Sequence, residues 1–315
     1  MNVLVTNIGR KTYFVEFLIK LKNKFNKSFK IHLTDCSRNT ASFYNGNNIN
    51  CHLTPKVINN GTKYFKELLK IVIKNKINVI IPLTDFDLKI LSRKKNILKK
   101  FSCHAIVSDI GVINSCFDKR KINVICKKIG LNYPKTWSNI ENFKGRFPII
   151  KKHIFGCASS GLKIIKNKFQ LKEFSSKSDI LQKMIIGQEF HLDILNNLDG
   201  EYVSHCSKKK LKMRSGETDK AKIVINSRFK LIAIKLSKIL KHVGNLDCDL
   251  IIGPNNKIYI LDLNPRFGGG YPFTHLSGLN YLEAVIKMVL KYPYKLPKFP
   301  KSITGFKGVD LTWRI

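Results

Sequence analysis

Residues 258–275, IYILDLNPRFGGGYPFTH, allow few local structures, and the rest of the chain must accommodate the one they adopt. Ile258, Tyr259, Ile260 and Leu261 form a short β-prone apolar run of the kind a buried strand needs. Pro265 has no amide hydrogen with which to continue a ladder, so the strand stops there. Asp262 and Asn264 are alternate residues, whose side chains leave the same face of a strand. Two oxygen-bearing groups on one face suit a hard cation such as Mg²⁺, with phosphate and water oxygens completing the octahedron. Arg266 adds a fixed planar cation, and Gly268, Gly269 and Gly270 let backbone approach a ligand closely. A strand running into a solvated glycine turn would account for the glycines and the proline. It would not account for an acid, an amide and an arginine at alternate positions.

At 315 residues the chain can bury a sizeable core and is expected to hold two or three subdomains. No apolar run approaches a membrane-spanning length, and the N-terminal MNVLVTNIGRK is too short and wrongly flanked for a secretion signal. The eight cysteines (36, 51, 103, 116, 126, 157, 206 and 248) are scattered, with no Cys-x-x-Cys pair and no zinc-like His spacing. They predict free thiols in a reducing cytoplasm, and the lack of a membrane-spanning run predicts no membrane partner. The formal net charge is +36. Nearly all of the excess is lysine, spread along the chain beside abundant Asn, Ile and Phe. All four residues have A/T-rich codons, so genomic base composition is a sufficient cause. Nucleic-acid sites favour clustered arginine with interleaved aromatics, and only residues 208–222 look clustered. Nucleic acid is therefore not expected as a partner.

In chain order, residues 1–6 read as a buried strand, Asn7 to Lys11 as a turn, 12–24 as a helix and 29–34 as a second strand ending at Asp35. This is the opening βαβ of a doubly wound sheet. A lone Gly9 without G-x-G-x-x-G does not license a dinucleotide. A helix over 63–75 and a strand over 79–83 lead to Thr84-Asp85 at a carboxyl edge, where ligands sit in such sheets. Asp85 reads either as the holder of an amine or as the N-cap of a helix over 86–94. Asp118-Lys119 heads an amphipathic helix that ends at Gly130. A short strand at 147–152 ends in Lys151-Lys152, only one of which can face a ligand. Gly156, Ser159 and Gly161 follow in a loop whose backbone amides and hydroxyls can cradle anionic oxygens. A hairpin over 193–204 turns at Asp199-Gly200, and a helix covers 228–242. Asp249 and Asp262 flank the Pro254-Asn255-Asn256 turn, so a hairpin there brings two acids opposite one another, as a two-cation site requires. One closing helix is predicted over 276–290 and an exposed strand over 302–314.

Asp262-Leu263-Asn264-Pro265-Arg266 followed by Phe267-Gly268-Gly269-Gly270 resembles the E-x-N-P-R signature of the ATP-grasp superfamily. More narrowly, it is similar to stand-alone proteins resembling one ATP-grasp unit of the carbamoyl phosphate synthetase large subunit. Asp262 stands where glutamate is usual. The resemblance implies that Asp249, Asp262 and Asn264 bind Mg²⁺ ions bridging ATP phosphates, and that Arg266 helps to neutralise the transferred phosphate. Asp118-Lys119 with the segment from Gly130 to Thr136 resembles the opening of the family's ATP-binding domain, making Lys119 a phosphate contact. Residues 148–161 resemble P-x-x-x-K-P-x-x-G-x-x-S-x-G, with His153 in place of the usual proline and Ile154 of a frequent arginine. Counting from Pro148 puts Lys152 on the phosphate-binding lysine and Gly156, Ser159 and Gly161 on the loop that folds over the phosphates. Residues 180–193, ILQKMIIGQEFHLD, match the family's hinge. There Gln182, Lys183 and Ile185 are expected around adenine and Glu189 on the ribose hydroxyls. A basic loop ending in Gly216-Glu217 offers Lys210 and Arg214 as contacts to phosphate or to a substrate carboxylate.

The expected fold is α/β, with α+β character in the ATP-binding part: a Rossmann-like domain over 1–115, a small ATP-grasp lobe over 116–183 and a large lobe over 184–315. The resemblance implies an ATP-dependent carboxylate–amine or carboxylate–nucleophile ligase working through an acyl phosphate. Its cofactors would be ATP and Mg²⁺, with Mn²⁺ as a substitute, its substrates small molecules, and its assembly a homodimer. The alternative is a basic nucleic-acid-binding protein with a vestigial ATP-grasp shell.

Overall fold

The computed structural model describes residues 1–25, 29–156, 161–214, 216–308 and 312. Its first sheet is parallel and built from β1 (Asn2–Thr6), β2 (Lys30–Asp35), β3 (Ile49–Leu53), β4 (Val79–Pro82) and β5 (His104–Ala105), in the order β3-β2-β1-β4-β5. The reversal beside β1 is the switch point of a doubly wound sheet. Helices α1 (Thr12–Lys24), α2 (Gly61–Lys74) and α3 (Asp85–Lys99) make the crossovers. α1 forms because Phe14, Phe17, Leu18 and Leu21 recur at helical spacing and give it one buried face. The turn before it is closed by the Gly9 amide, which donates to Asp35 Oδ2 at 2.8 Å, with Gly9 at φ +56°.

After α4 (Ile110–Phe117) and α5 (Lys119–Lys128), a four-stranded antiparallel sheet follows. It comprises β6 (Thr136–Trp137), β7 (Ile149–His153), β8 (Lys163–Ile165) and β9 (Asp179–Lys183), ordered β6-β9-β7-β8. α5 starts where predicted, because the Asp118 carboxylate caps it, accepting from the Arg120 amide at 3.1 Å. This sheet has its own small core of Trp137, Ile149, Ile165, Leu171 and Leu181.

A six-stranded antiparallel sheet completes the architecture. It is built from β10 (Gln188–Asn196), β11 (Tyr202–Arg214), β12 (Glu217–Val224), β13 (Gly244–Ile252) and β14 (Ile258–Asn264), with α6 (Ser227–Leu240) between β12 and β13. Helices α7 (Tyr271–Leu276) and α8 (Tyr281–Val289) and strand β15 (Thr304–Phe306) follow, and the strand order is β14-β13-β10-β11-β12-β15. One set of its residues packs with Phe229, Ile232, Ala233 and Leu236 of α6 and Ile122 of α5. Another joins α7, α8 and the first sheet in a single core. Phe14 meets the Phe267 ring edge-on at 5.5 Å, and Phe17 stacks on His275 at 3.7 Å, so aromatic contacts fuse the N-terminal sheet to the large one.

Three expectations need correction. The helix expected over 276–290 is only α8, over 281–289: α7 ends at Leu276, Gly278 takes φ +95°, and α8 starts under the Asn280 cap. The basic stretch read as a loop is most of β11. The final strand is the three-residue β15; residues 309–311 and 313–315 lie outside the described residues. Among the described residues no helix is long and apolar enough to cross a membrane. Their cysteines, 36, 51, 103, 116, 126, 206 and 248, are free thiols.

Candidate active site

A cavity of about 460 Å³ opens where the three sheets meet. The first sheet contributes Lys11, Thr84 and Asp85 from its carboxyl edge, and the small sheet contributes Lys152, His153 and Gly156. The large sheet adds Glu189, His191, Lys210, Asp249, Asp262 and Asn264, and the turn after β14 adds Arg266, Gly269 and Gly270.

The acids are placed by register. β13 and β14 pair antiparallel with Asp249 opposite Asp262 and Asp247 opposite Asn264, and a bulge follows Asp249. The side chains of Asp249 and Asp262 keep 27% and 21% exposure, so both remain reachable from the cavity. Burial raises the Asp262 carboxyl above the ordinary aspartate range, against the pull of Lys119 and Lys152. Burial works on Asp249 in the same direction, but Lys210 and His191 outweigh it and hold that carboxyl well below the range. Lys210 Nζ lies 2.6 Å from Asp249 Oδ1 and 3.2 Å from Glu189 Oε2. Lys119 Nζ donates to both oxygens of Asp262 at 3.2 Å and to the Gly156 carbonyl at 3.0 Å, tying α5 to β14 across the cavity.

Strand alternation decides between the two lysines of β7. Lys151 turns away, donating to the Glu173 carbonyl at 3.2 Å and lying 3.6 Å from Asp179. Lys152 lines the cavity and has no ion pair among the described residues. Burial lowers its basicity, which Asp262 partly restores. An ammonium held in a cavity without a counter-ion is a site for an anion.

Arg266 is not poised over open space. Its guanidinium donates to both Asp85 oxygens at 2.8 and 2.9 Å and reaches Asp247 at 3.4 Å. Asp85 therefore binds an arginine 181 residues away, not an amine, and Thr84 takes the N-cap position of α3. Replacing Asp85 by Asn would leave a nearly buried guanidinium with a weaker partner, and we expect the protein to lose about 2 kcal/mol in a denaturant melt.

The remaining predicted residues scatter. Arg214 pairs with Asp219 at 2.8 Å, is half exposed and does not line the cavity; β11 has carried it past the rim. The Gln182 side chain is buried against the Thr136 hydroxyl at 3.0 Å, so only its backbone could serve a base. The Lys183 amide is taken by the Lys135 carbonyl at 2.8 Å, which leaves its own carbonyl and the following turn with Ile185 for that purpose. Gly161 sits at φ +72°, and Ser159 lies outside the described residues.

Sequence reasoning missed a buried ionic layer beneath the acids. His191 on β10 contacts Asp247 Oδ1 and lies 3.4 Å from Asp249 and 3.6 Å from Asp193. Burial opposes its protonation, yet Asp247 and Asp193 push the imidazole up to about 10. Asp193 in turn contacts Lys208 and the Thr274 hydroxyl (2.5 Å), and Asp193 and Lys208 are fully buried. His191, Asp193 and Asp247 could converge on a metal. Lys208 already pairs with Asp193 and His191 with Asp247, so the cluster is an internal salt network. Two turn glycines are needed to fit over it: a Cβ on Gly268 would lie 2.1 Å from Asp247 Oδ2, and one on Gly270 2.9 Å from the His191 ring. Alternation along β10 and β13 was the available signal, since it puts His191, Asp193, Asp247 and Asp249 on one face.

The hard-oxygen set of Asp249, Asp262 and Asn264, facing Lys152, has the chemistry to hold a divalent cation with a polyphosphate. A family profile described as an ATP-grasp domain matches residues 116–270, and one described as a PylC-like N-terminal domain matches residues 3–106. No curated protein sequence matches the chain significantly. Among solved structures, an ADP complex of N5-carboxyaminoimidazole ribonucleotide synthetase superposes with a TM-score of 0.70 at 14% identity, over 96% of this chain and 78% of that one. Biotin carboxylase from Campylobacter jejuni gives 0.72 at 14% identity, over 96% and 73%. An L-amino acid ligase from Bacillus licheniformis gives 0.69 at 15% identity, over 92% and 74%. Residues 116–270 are an ATP-grasp domain, and residues 3–106 before it a PylC-like N-terminal domain.

Proposed function

We propose that the protein joins a small-molecule carboxylate to an amine through an acyl phosphate, with Mg²⁺-ATP as the phosphoryl donor. The observation that carries this reading is Lys152, without an ion pair among the described residues, facing the opposed pair Asp249 and Asp262 across one cavity. In this reading Lys119 and Lys152 hold phosphate oxygens. The Gly156 and Gly161 amides add contacts to the same oxygens, and the backbone from Gln182 to Ile185 borders the adenine. Glu189 accepts from the ribose. Asp249, Asp262 and Asn264 hold Mg²⁺ or Mn²⁺, which when bound would draw charge from the β- and γ-phosphate oxygens.

The substrate carboxylate attacks the γ-phosphorus as the bond to ADP breaks. The amine then attacks the acyl carbon, and inorganic phosphate leaves with the bond electrons. Lys210 stabilises negative charge that develops in both steps, and Arg266, held by Asp85 and Asp247, adds positive field from the cavity wall; Arg214 has no place in them. No protein nucleophile is needed. We read the setting as a reducing cytoplasm, which the free thiols support.

The test is ADP and phosphate release while carboxylate and amine pairs are screened at millimolar Mg²⁺-ATP. Replacing Lys152 by Met should weaken nucleotide binding at least tenfold, measured by calorimetry, with the fold retained. A protein that binds no nucleotide under these conditions would sink the reading.

A further inference from the structure

Residues 291–301, KYPYKLPKFPK, hold four lysines, three aromatics and three prolines without one acid. The ligase chemistry uses none of them. The segment forms neither helix nor strand, as the prolines require, yet it is tied down along its length. The Tyr292 amide donates to the Lys287 carbonyl at 2.9 Å, Leu296 packs against the main core, and the Lys301 amide donates to the Ser277 carbonyl at 2.8 Å. The result is a strap pinned to the body with its rings outward: Tyr292 is 54% exposed and Phe299 60%. Beside the Ser277 anchor, Leu276 is 56% exposed. The strap's lysines, Lys291, Lys295, Lys298 and Lys301, are exposed as well.

Lysines are common in this chain, but here they alternate with uncovered rings. α2 makes the contrast: its Lys63, Lys66, Lys70 and Lys74 are exposed, while its rings, Tyr64 and Phe65, are buried. Rings at headgroup depth, flanked by lysines whose stems lie along apolar surface, are the pattern of a protein face resting on an anionic bilayer. We propose that the strap 291–301 is a peripheral docking surface for anionic phospholipid headgroups. Such attachment is reversible and needs no membrane-crossing helix. Single-stranded nucleic acid fits less well, because Lys298 Nζ stands over the Phe299 ring at 5.6 Å and covers a face that a base would stack on. The proposal goes beyond the ligase reading and does not depend on it.

The test is co-sedimentation of the full chain with vesicles of phosphatidylcholine containing about a third phosphatidylglycerol, near physiological salt, against phosphatidylcholine alone. We expect binding to the anionic vesicles only. Tyr292→Ser with Phe299→Ser, which leaves the charge unchanged, should weaken it at least tenfold. Changing Lys63, Lys66, Lys70 and Lys74 to Gln should cost less than threefold. Thermal melts check folding, and Lys295→Gln with Lys298→Gln replaces the aromatic pair if that variant does not fold. Absence of vesicle binding overturns the proposal, as does equal loss in the α2 variant, which would mean diffuse charge. So does an oligonucleotide whose binding falls in the aromatic variant while vesicle binding does not.

Discussion

Asp262→Asn should abolish Mg²⁺-dependent ATP turnover while the protein still folds. Divalent affinity depends on ligand charge, and the neighbouring acids Asp249 and Asp85 are held closely by Lys210 and Arg266. Asp249 is pulled hard by Lys210, whereas the Asp262 carboxyl rests above its ordinary range and has only the longer Lys119 contacts at 3.2 Å. The Asn change should therefore lower turnover by at least 10³-fold, a loss of about 4 kcal/mol of transition-state stabilisation. Two opposed carboxylates alone would make the change neutral for stability. Lys119 alters that: it keeps the Gly156 carbonyl but loses a charged partner, so the metal-free protein should melt with about 1–2 kcal/mol less stability. Asp262→Glu is the sharper probe, since it keeps the charge at the same register position, and we expect measurable turnover. Full activity in the Asn variant, by ADP release, would remove Asp262 from the metal site; an unfolded Asn variant would make its role structural.

Lys208→Met should be the most damaging single change to the fold. Lys208 and Asp193 have no exposed side-chain surface, and their ion pair is completed by the Thr274 hydroxyl and the Asn245 amide. Removing one partner of a buried pair leaves the other charge uncompensated, at a cost of about 3–5 kcal/mol in urea or thermal melts. The pH dependence follows. Burial would raise the Asp193 carboxyl, but Lys208 and His191 overcome it and depress the group well below the roughly 3.9 of an unfolded aspartate. A depressed acid contributes stability above its unfolded value and loses it as pH falls towards the folded one. The parent should thus keep this contribution at neutral pH and shed it in acid. In the Met variant the depression relaxes, so acid unfolding should begin at higher pH. A variant as stable as the parent at pH 7 would show that water or His191 already balances Asp193.

The sequence was most legible where structure is local. The helix over 12–24 depends on contacts a few residues apart, and Asp249 faces Asp262 because a tight turn at Pro254 leaves the strands around it little freedom. The Arg266–Asp85 pair bridges 181 residues, and no periodicity carries that information. β11 was hidden for a different reason. Its inward face is written in lysine, with Lys208 and Lys210 turned to acids, and lysine ordinarily signals solvent. The break between α7 and α8 rests on one glycine whose positive φ a helical pattern does not reveal. Arg214 failed because a loop can fold back over a site, whereas a strand carries its end away from one.

The aromatic contacts of Phe14 and Phe17 with Phe267 and His275 bear on how this chain can be rebuilt. A domain with a separate core can be exchanged for another by matching a linker. Here the N-terminal sheet and the large sheet share one core, and Arg266 reaches across the junction to Asp85. A grafted N-terminal half would need its own complement to the Phe267 and Tyr271 rings and a new acid for Arg266. The small sheet differs, since its five-residue core closes on itself. It is the part of the molecule that could be replaced whole.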